Sequence, residues 1–253
     1  MSKKEQNIWN LTDTQFKILQ NCAKINSILY FNGNNPIVST NALDESFTVF
    51  YINTQFDFNV NKSFVIHNLN ELIKTLKMME KGNIEVTDDR IIITDENGKI
   101  KCKYLYANSD IVENLKPIFE GYNDIISSIK NSDGCIKLEF KKEYFEVIRK
   151  FLNPNYNTIS IQNNKIILFD NIGNIDTDKK DNIEIELENV NVENRIDIDV
   201  SLFKSIEEDT YDCYLSPSGF ILFENTETNN IYGVAANIIE WGIIIPHSQY
   251  KEE

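Results

Sequence analysis

The chain of 253 residues has only two histidines, His67 and His247. A Ser-His-Asp or Cys-His mechanism would have to use one of them. No G-x-S-x-G, phosphate loop, G-x-G-x-x-G or H-E-x-x-H stretch accompanies either. Cys22, Cys102, Cys135 and Cys213 stand far apart. A zinc site needs closer ligand pairs, so they read as small buried hydrophobes. The nearest approach to an acidic metal cluster, Asp197-Ile198-Asp199, falls in an alternating strand pattern, so its acids are expected to face solvent. The expectation is a protein without catalysis, metal or cofactor. The chemistry left is positive charge. In NELIKTLKMMEKGNIEVTDDRIIITDENGKI, from Asn70 to Ile100, Lys74, Lys77 and Lys81 recur at i, i+3 and i+7, one face of a helix. Yet the chain holds 39 acids against 25 bases, a net charge of -14.

The elements that would carry these lysines repeat. Around the opening helix, 68–81, the order is strand FDFNV (56–60), helix, then strands NIEV, IIIT and KIKCKYLY, separated by polar turns. This is a β-α-β-β-β unit. It returns as CIKLEF, a helix over Lys141 to Leu152 stopped at Asn153-Pro154, then TISI, IILF and NIEIELENV. It returns again as RIDIDV, a short helix SLFKSIEED, CYLS, FILFE and NIYGVAA. Near the N-terminus the helix DTQFKILQNCAKIN leads into SILYF, PIVST and SFTVFYI. Four units give an α+β protein of two similar domains, 1–110 and 134–253, with 111–133 as a connector. At 42% hydrophobic and 25% charged residues the chain reads as folded and soluble. No apolar run approaches a membrane span, and the N-terminus lacks a signal-peptide core, so a cytoplasmic location is expected.

Helical spacing sorts the faces. On the first helix Asp13, Lys17, Gln20, Asn21 and Lys24 fall opposite Phe16, Leu19, Cys22 and Ala23. On the second the apolar stripe is Leu69, Leu72, Ile73, Leu76 and Met79. On the third it is Tyr144, Phe145, Ile148, Phe151 and Leu152, with Lys142, Arg149 and Lys150 projecting away. Lysines on one such helix are an ordinary solvated face. As a set they segregate charge, because the acids concentrate in turns and in strand-rich stretches such as DTDKKDNIEIELENVNVENRIDID. Such a protein should bind a polyanion in one place and repel it elsewhere.

The order and spacing of FKILQNCAKINSILYFNGNNPIVSTNALDESFTVFYI, FDFNVNKSFVIHNLNELIKTLKMM, YFEVIRKFLNPNYNTISIQNNKIIL and NRIDIDVSLFKSIEEDTYDCYLSPSGFILFE resemble the sliding clamps, or DNA polymerase processivity factors, of the T-even bacteriophage type, which share the PCNA-like fold. The resemblance runs from about Thr12 to Ile239. It implies a DNA-clamp fold with helices lining the interior of a three-subunit ring and sheets outside, at replication forks in a host cytosol. It implies a homotrimer around double-stranded DNA, a clamp-loader ATPase that opens it, a polymerase holding it by a C-terminal peptide, and a role in late transcription. Carried over, Lys17, Lys24, Lys74, Lys77, Lys81, Lys141, Lys142, Arg149 and Lys150 would face DNA. Lys204, alone beside Glu207 and Glu208 on the fourth helix, would be a lesser contact. Ile118, Phe119 and Tyr122 are candidates for the partner-peptide pocket. The head MSKKEQNIWN and the tail EWGIIIPHSQYKEE carry no assigned role. Three other readings remain: a non-catalytic protein-binding scaffold, a monomeric or dimeric processivity factor without a closed ring, and a single-strand binder. The last needs aromatics on a basic groove, where these aromatics read as core.

Overall fold

The helices begin where side chains can take up free backbone N–H groups. Thr12 and Gln15 form a reciprocal capping box, the Gln15 amide donating to Thr12 Oγ1 at 3.1 Å and the Thr12 amide to Gln15 Oε1 at 3.0 Å. This starts α1 (Asp13–Ile25). Asn68 caps α2 (Leu69–Met78) by accepting from the Glu71 amide at 3.1 Å. Three further helices follow: α3 (Tyr122–Lys130), α4 (Lys142–Phe151) and the single turn α5 (Val200–Phe203). The computed structural model describes residues 7–31, 36–41, 48–57, 63–80, 82–107, 121–152, 156–170, 182–188, 192, 194–240 and 243–245.

The chain divides into two units, Met1–Glu45 with Phe50–Tyr122, and Ser46–Val49 with Asn123–Glu253. In the first, β1 (Asn7–Trp9), β2 (Leu29–Phe31), β3 (Ile37–Thr40), β4 (Val49–Asn53), β5 (Phe64–Ile66), β6 (Asn83–Val86), β7 (Arg90–Thr94) and β8 (Lys101–Leu105) pair in the orders β1-β6-β7-β8 and β5-β2-β3-β4. In the second, β9 (Ile136–Phe140), β10 (Thr158–Gln162), β11 (Lys165–Phe169), β12 (Ile183–Glu186), β13 (Arg195–Asp199), β14 (Tyr211–Ser216), β15 (Phe220–Asn225) and β16 (Asn230–Ala235) pair as β9-β14-β15-β16 and β13-β10-β11-β12. Two last strands, β17 (Asn237–Glu240) and β18 (Ile243–Ile245), extend the second of these sheets beyond β13. The pairings that build these orders are antiparallel.

The four β-α-β-β-β repeats are therefore β1-α1-β2-β3-β4, β5-α2-β6-β7-β8, β9-α4-β10-β11-β12 and β13-α5-β14-β15-β16. The head that the sequence left without a role supplies the first strand of the first repeat. Within each unit the sister repeats exchange first strands: β1 pairs with β6 and β5 with β2, as β9 pairs with β14 and β13 with β10. Hairpin turns fix the registers. Gln162 faces Lys165 across Asn163 and Asn164, both at positive φ (46° and 63°), as a two-residue turn with the twist of its strands requires.

Several expectations change. The strand before α2 is Phe64–Ile66: Phe56 and Asp57 lie in coil, and the rest of FDFNV lies outside the described residues. The stretch 122–130, read as connector, is the amphipathic helix α3 with Ile126 and Ile129 buried. The fourth helix is one turn, because after Phe203 the backbone closes tight turns at Ser205 and Ile206, both buried.

In the first unit Trp9, Phe31, Phe56, Phe64 and Tyr106 form a chain of ring contacts with centroids 4.3–6.4 Å apart. In the second, Phe140, Phe145, Phe203, Tyr211, Phe223 and Tyr232 do the same. Trp9 is 2% exposed while its neighbour Ile8 is half exposed. Trp9→Ala is expected to cost about 3–5 kcal/mol, as for other buried aromatic truncations, and Ile8→Ala less than about 0.5 kcal/mol. Urea unfolding of the two variants checks that β1 closes the core.

Candidate nucleic-acid interface

The basic residues singled out by spacing sit on two helix pairs, one in each unit. In the first unit α1 packs beside α2 and against β3. Leu69, Leu72, Ile73, Leu76 and Met79 of the α2 segment are buried, which leaves Lys74 and Lys77 exposed. Lys17 and Lys24 of α1 are exposed as well. Asn21, expected among these polar residues, is buried instead, and its Oδ1 accepts from Lys24 Nζ at 2.9 Å. Lys81 lies outside the described residues.

In the second unit α4 and α5 meet through the Phe145 and Phe203 rings, stacked at 4.9 Å. Tyr144, Phe145 and Ile148 hold α4 to the core, and Lys142 and Lys150 project into solvent. Lys204, at the C-terminal cap of α5, is exposed too. The remaining two bases are engaged within the chain. Lys141 Nζ lies 2.6 Å from Glu188 Oε2, and the hydrogen bond to that carboxylate raises the lysine pKa. Arg149 Nη1 lies 3.1 Å from Glu208 Oε1, while Nη2 donates to the Ile206 carbonyl. Arg149 thus closes the segment after α5 onto α4. Lys74, Lys77, Lys142, Lys150 and Lys204 form no ion pair among the described residues. With Lys17 and Lys24 they leave seven exposed ammonium groups on the helices of a chain whose net charge is -14.

Large apolar side chains interrupt these basic faces. Met78 is 76% exposed beside Lys77, and Phe151 46% exposed beside Lys150. Met78 falls off the stripe of Leu69, Leu72, Ile73 and Leu76, a position that helical spacing makes readable. Phe151 had been placed on the apolar face; it is the last residue of α4, where no further turn covers it. Of the residues proposed for a peptide pocket, Tyr122 is half-buried at the start of α3, and Ile118 and Phe119 lie outside the described residues. No helix among the described residues is long and apolar enough to cross a membrane.

Solved structures with this arrangement include DNA polymerase III subunit beta from Borrelia burgdorferi, with a TM-score of 0.58 at 14% identity over 96% of this chain and 66% of that one. The beta-subunit sliding clamp of Bartonella birtlesii gives 0.61 at 13% identity over 92% of this chain and 68% of that one. The Helicobacter pylori beta clamp, solved with a DNA ligase peptide, gives 0.58 at 10% identity over 93% and 67%. The chain has the fold of a sliding clamp. It spans about two thirds of the length of these neighbours. No protein-family model and no curated protein sequence matches it.

The split between engaged and projecting bases has a measurable consequence. Arg149→Ala removes an ion pair and a carbonyl hydrogen bond and is expected to destabilise the chain by about 1–3 kcal/mol. Lys150→Ala, one residue on, should change stability by less than about 0.5 kcal/mol. Denaturant midpoints at constant slope distinguish the two.

Proposed function

We propose that this chain is a ring-forming sliding clamp, a non-catalytic processivity factor that encircles double-stranded DNA and tethers a replicative polymerase. The observation that carries the reading is the set of exposed lysines on both helix pairs of a clamp fold in an acidic chain. Encirclement makes retention a matter of topology. Attraction to phosphates then needs only to be weak and independent of sequence, which flexible lysines provide. Acidic surface elsewhere discourages DNA from binding away from those helices. In this reading Lys17, Lys24, Lys74, Lys77, Lys81, Lys142 and Lys150 face DNA, with Lys204 at the margin. Lys141 and Arg149 contribute less, being committed to Glu188 and to Glu208 with the Ile206 carbonyl. Three copies closing head to tail, a clamp-loader ATPase, a place in the host cytosol and a part in late transcription belong to the phage-type resemblance of the sequence. The ligase peptide on the Helicobacter clamp supports a peptide-binding role for this fold. Ile118, Phe119 and Tyr122 remain the candidates for that contact.

A protein-binding scaffold has one observation in its favour. Lys24, Lys77 and Lys150 stand in the last turns of their helices, where the macrodipole favours cations without any DNA. The two readings part on DNA topology. A clamp loaded on nicked circular DNA should stay bound and run off once the circle is linearised, while equal retention on both forms would refute encirclement. Lys74→Glu with Lys77→Glu and Lys81→Glu should reduce loading and processive synthesis severalfold or more at unchanged thermal stability. Unaltered processivity would remove those lysines from the proposed DNA contact.

A further inference from the structure

The two units treat corresponding sheets differently. In each, the first strand of one repeat joins the three strands of its sister, giving β1-β6-β7-β8 and β9-β14-β15-β16. One face of each sheet is core: Trp9, Ile84, Ile91 and Ile93 are buried in the first, and Leu138, Phe140, Cys213 and Phe223 in the second. The second sheet is covered on its other face too. There Lys130, the last residue of α3, sets its Nζ 2.6 Å from Glu224 Oε2 on β15 and 4.9 Å from the centre of the Tyr214 ring on β14. Just beyond α3, Ser132 Oγ meets Ser216 Oγ at 2.6 Å. Leu222, the cross-strand partner of Tyr214, is fully buried on that face, and Ile126 and Ile129 of α3 are buried as well. An amphipathic helix of the chain itself thus closes this face.

The same face of β1-β6-β7-β8 is open. Register places Ile8, Glu85, Ile92 and Lys103 in one row across it, with Lys101 and Leu105 to either side on β8. Ile8 is 49% and Leu105 57% exposed, and Ile92 is half-buried. The row crosses three inter-strand steps of about 4.8 Å, close to the breadth of one helix with its side chains, about 10–12 Å. Large apolar side chains gathered on a face that the sister sheet keeps covered mark a place for a partner. Charge says of what kind. In the second unit the helix brings the cation, Lys130, and the sheet the acid, Glu224. In the first the sheet brings the cations: Lys101 and Lys103 are exposed, while Arg90 is already held by Asp89. From this inversion we propose that the open face docks an amphipathic helix of a partner protein, apolar along the side that meets Ile8, Ile92 and Leu105, and acidic along the flank that meets Lys101 and Lys103. A basic helix would set like charges against those lysines. α2 lies against the opposite face, where Thr75 hydrogen-bonds Tyr104 of β8. A partner held on the open face therefore leaves Lys74 and Lys77 uncovered.

This inference does not depend on the DNA reading, and its test needs no DNA. Fluorescence anisotropy of the full chain with two labelled, helix-stapled peptides tests it. One peptide carries isoleucines at i, i+3 and i+7 flanked by glutamates, and the other has lysines in place of the glutamates. The acidic peptide should bind at least tenfold more tightly than the basic one, and more weakly as salt rises. Ile8→Ser with Leu105→Ser, and separately Lys101→Glu with Lys103→Glu, should each weaken its binding at least tenfold. All four side chains are exposed, so far-UV circular dichroism should not change. The lysine pair reads the site through charge alone should the serines disturb β1, and its reversal should also tighten binding of the basic peptide. No binding of the acidic peptide, equal binding of both peptides, or equal binding by the altered chains overturns the proposal. So does a loss of self-association in sedimentation caused by Ile8→Ser with Leu105→Ser, which would make the occupant a second copy of the chain. Retention on circular DNA is measured separately, so either reading can fail while the other stands.

Discussion

The exchange of first strands between sister repeats is the constraint from which the remaining architecture follows. A β-α-β-β-β repeat begins with a strand that its own helix carries away from its own hairpins. The three-residue strands β1 and β5 have no partner inside their repeats, and β9 and β13 stand likewise. A strand with unmet backbone groups is unfavourable when buried. Each finds its ladder on the sister repeat instead, β1 on β6 and β5 on β2, β9 on β14 and β13 on β10. Neither repeat of a unit is complete alone, so two repeats form one domain.

The helices take their places for the same reason. α1 leaves β1 in one sheet and enters β2 in the other, and α2 returns from β5 to β6. Both helices span the same gap in opposite directions, which sets them side by side. α4 and α5 do the same in the second unit, held by the stacked rings of Phe145 and Phe203. A basic residue facing outward on any of these helices is therefore gathered with those of its neighbour.

Legibility in the sequence followed the length and regularity of each element. The β-branched run IIIT, the alternation of CIKLEF and the five-position stripe of α2 are each regular enough to be read, and the structure has them within β7, β9 and the α2 segment. β1 and β18 are three residues each, too short for any period to register; β1 rests on a partner far along the chain, β6, and β18 on the adjacent strand β17. Asn21 was placed among solvent-facing polar residues because helical spacing knows the angle and not the neighbours. It is buried and bonds Lys24. Arg149 shows the same limit: its angle on α4 is that of an outward base, but Glu208 and the Ile206 carbonyl, more than fifty residues on, draw its guanidinium back. Which bases project was partly readable. Which of them are free to meet a ligand depends on tertiary contacts that spacing does not encode.

The choice of base bears on how a ring could move. Of the nine described basic residues on α1, α2, α4, α5 and their caps, eight are lysines, and the one arginine is held by Glu208 and the Ile206 carbonyl. A guanidinium offers a planar fork that holds phosphate or base edges in a fixed geometry, whereas an ammonium on a four-carbon stem is a hydrated point charge with rotatable donors. A clamp gains nothing from tight docking at one position on DNA, because every deep minimum along the duplex becomes a barrier to sliding. Lysines without fixed partners flatten that profile, since each can pass from one phosphate to the next with little change in free energy. On a clamp, exposed lysines on the helices therefore favour weak, shifting contact over one fixed docked position.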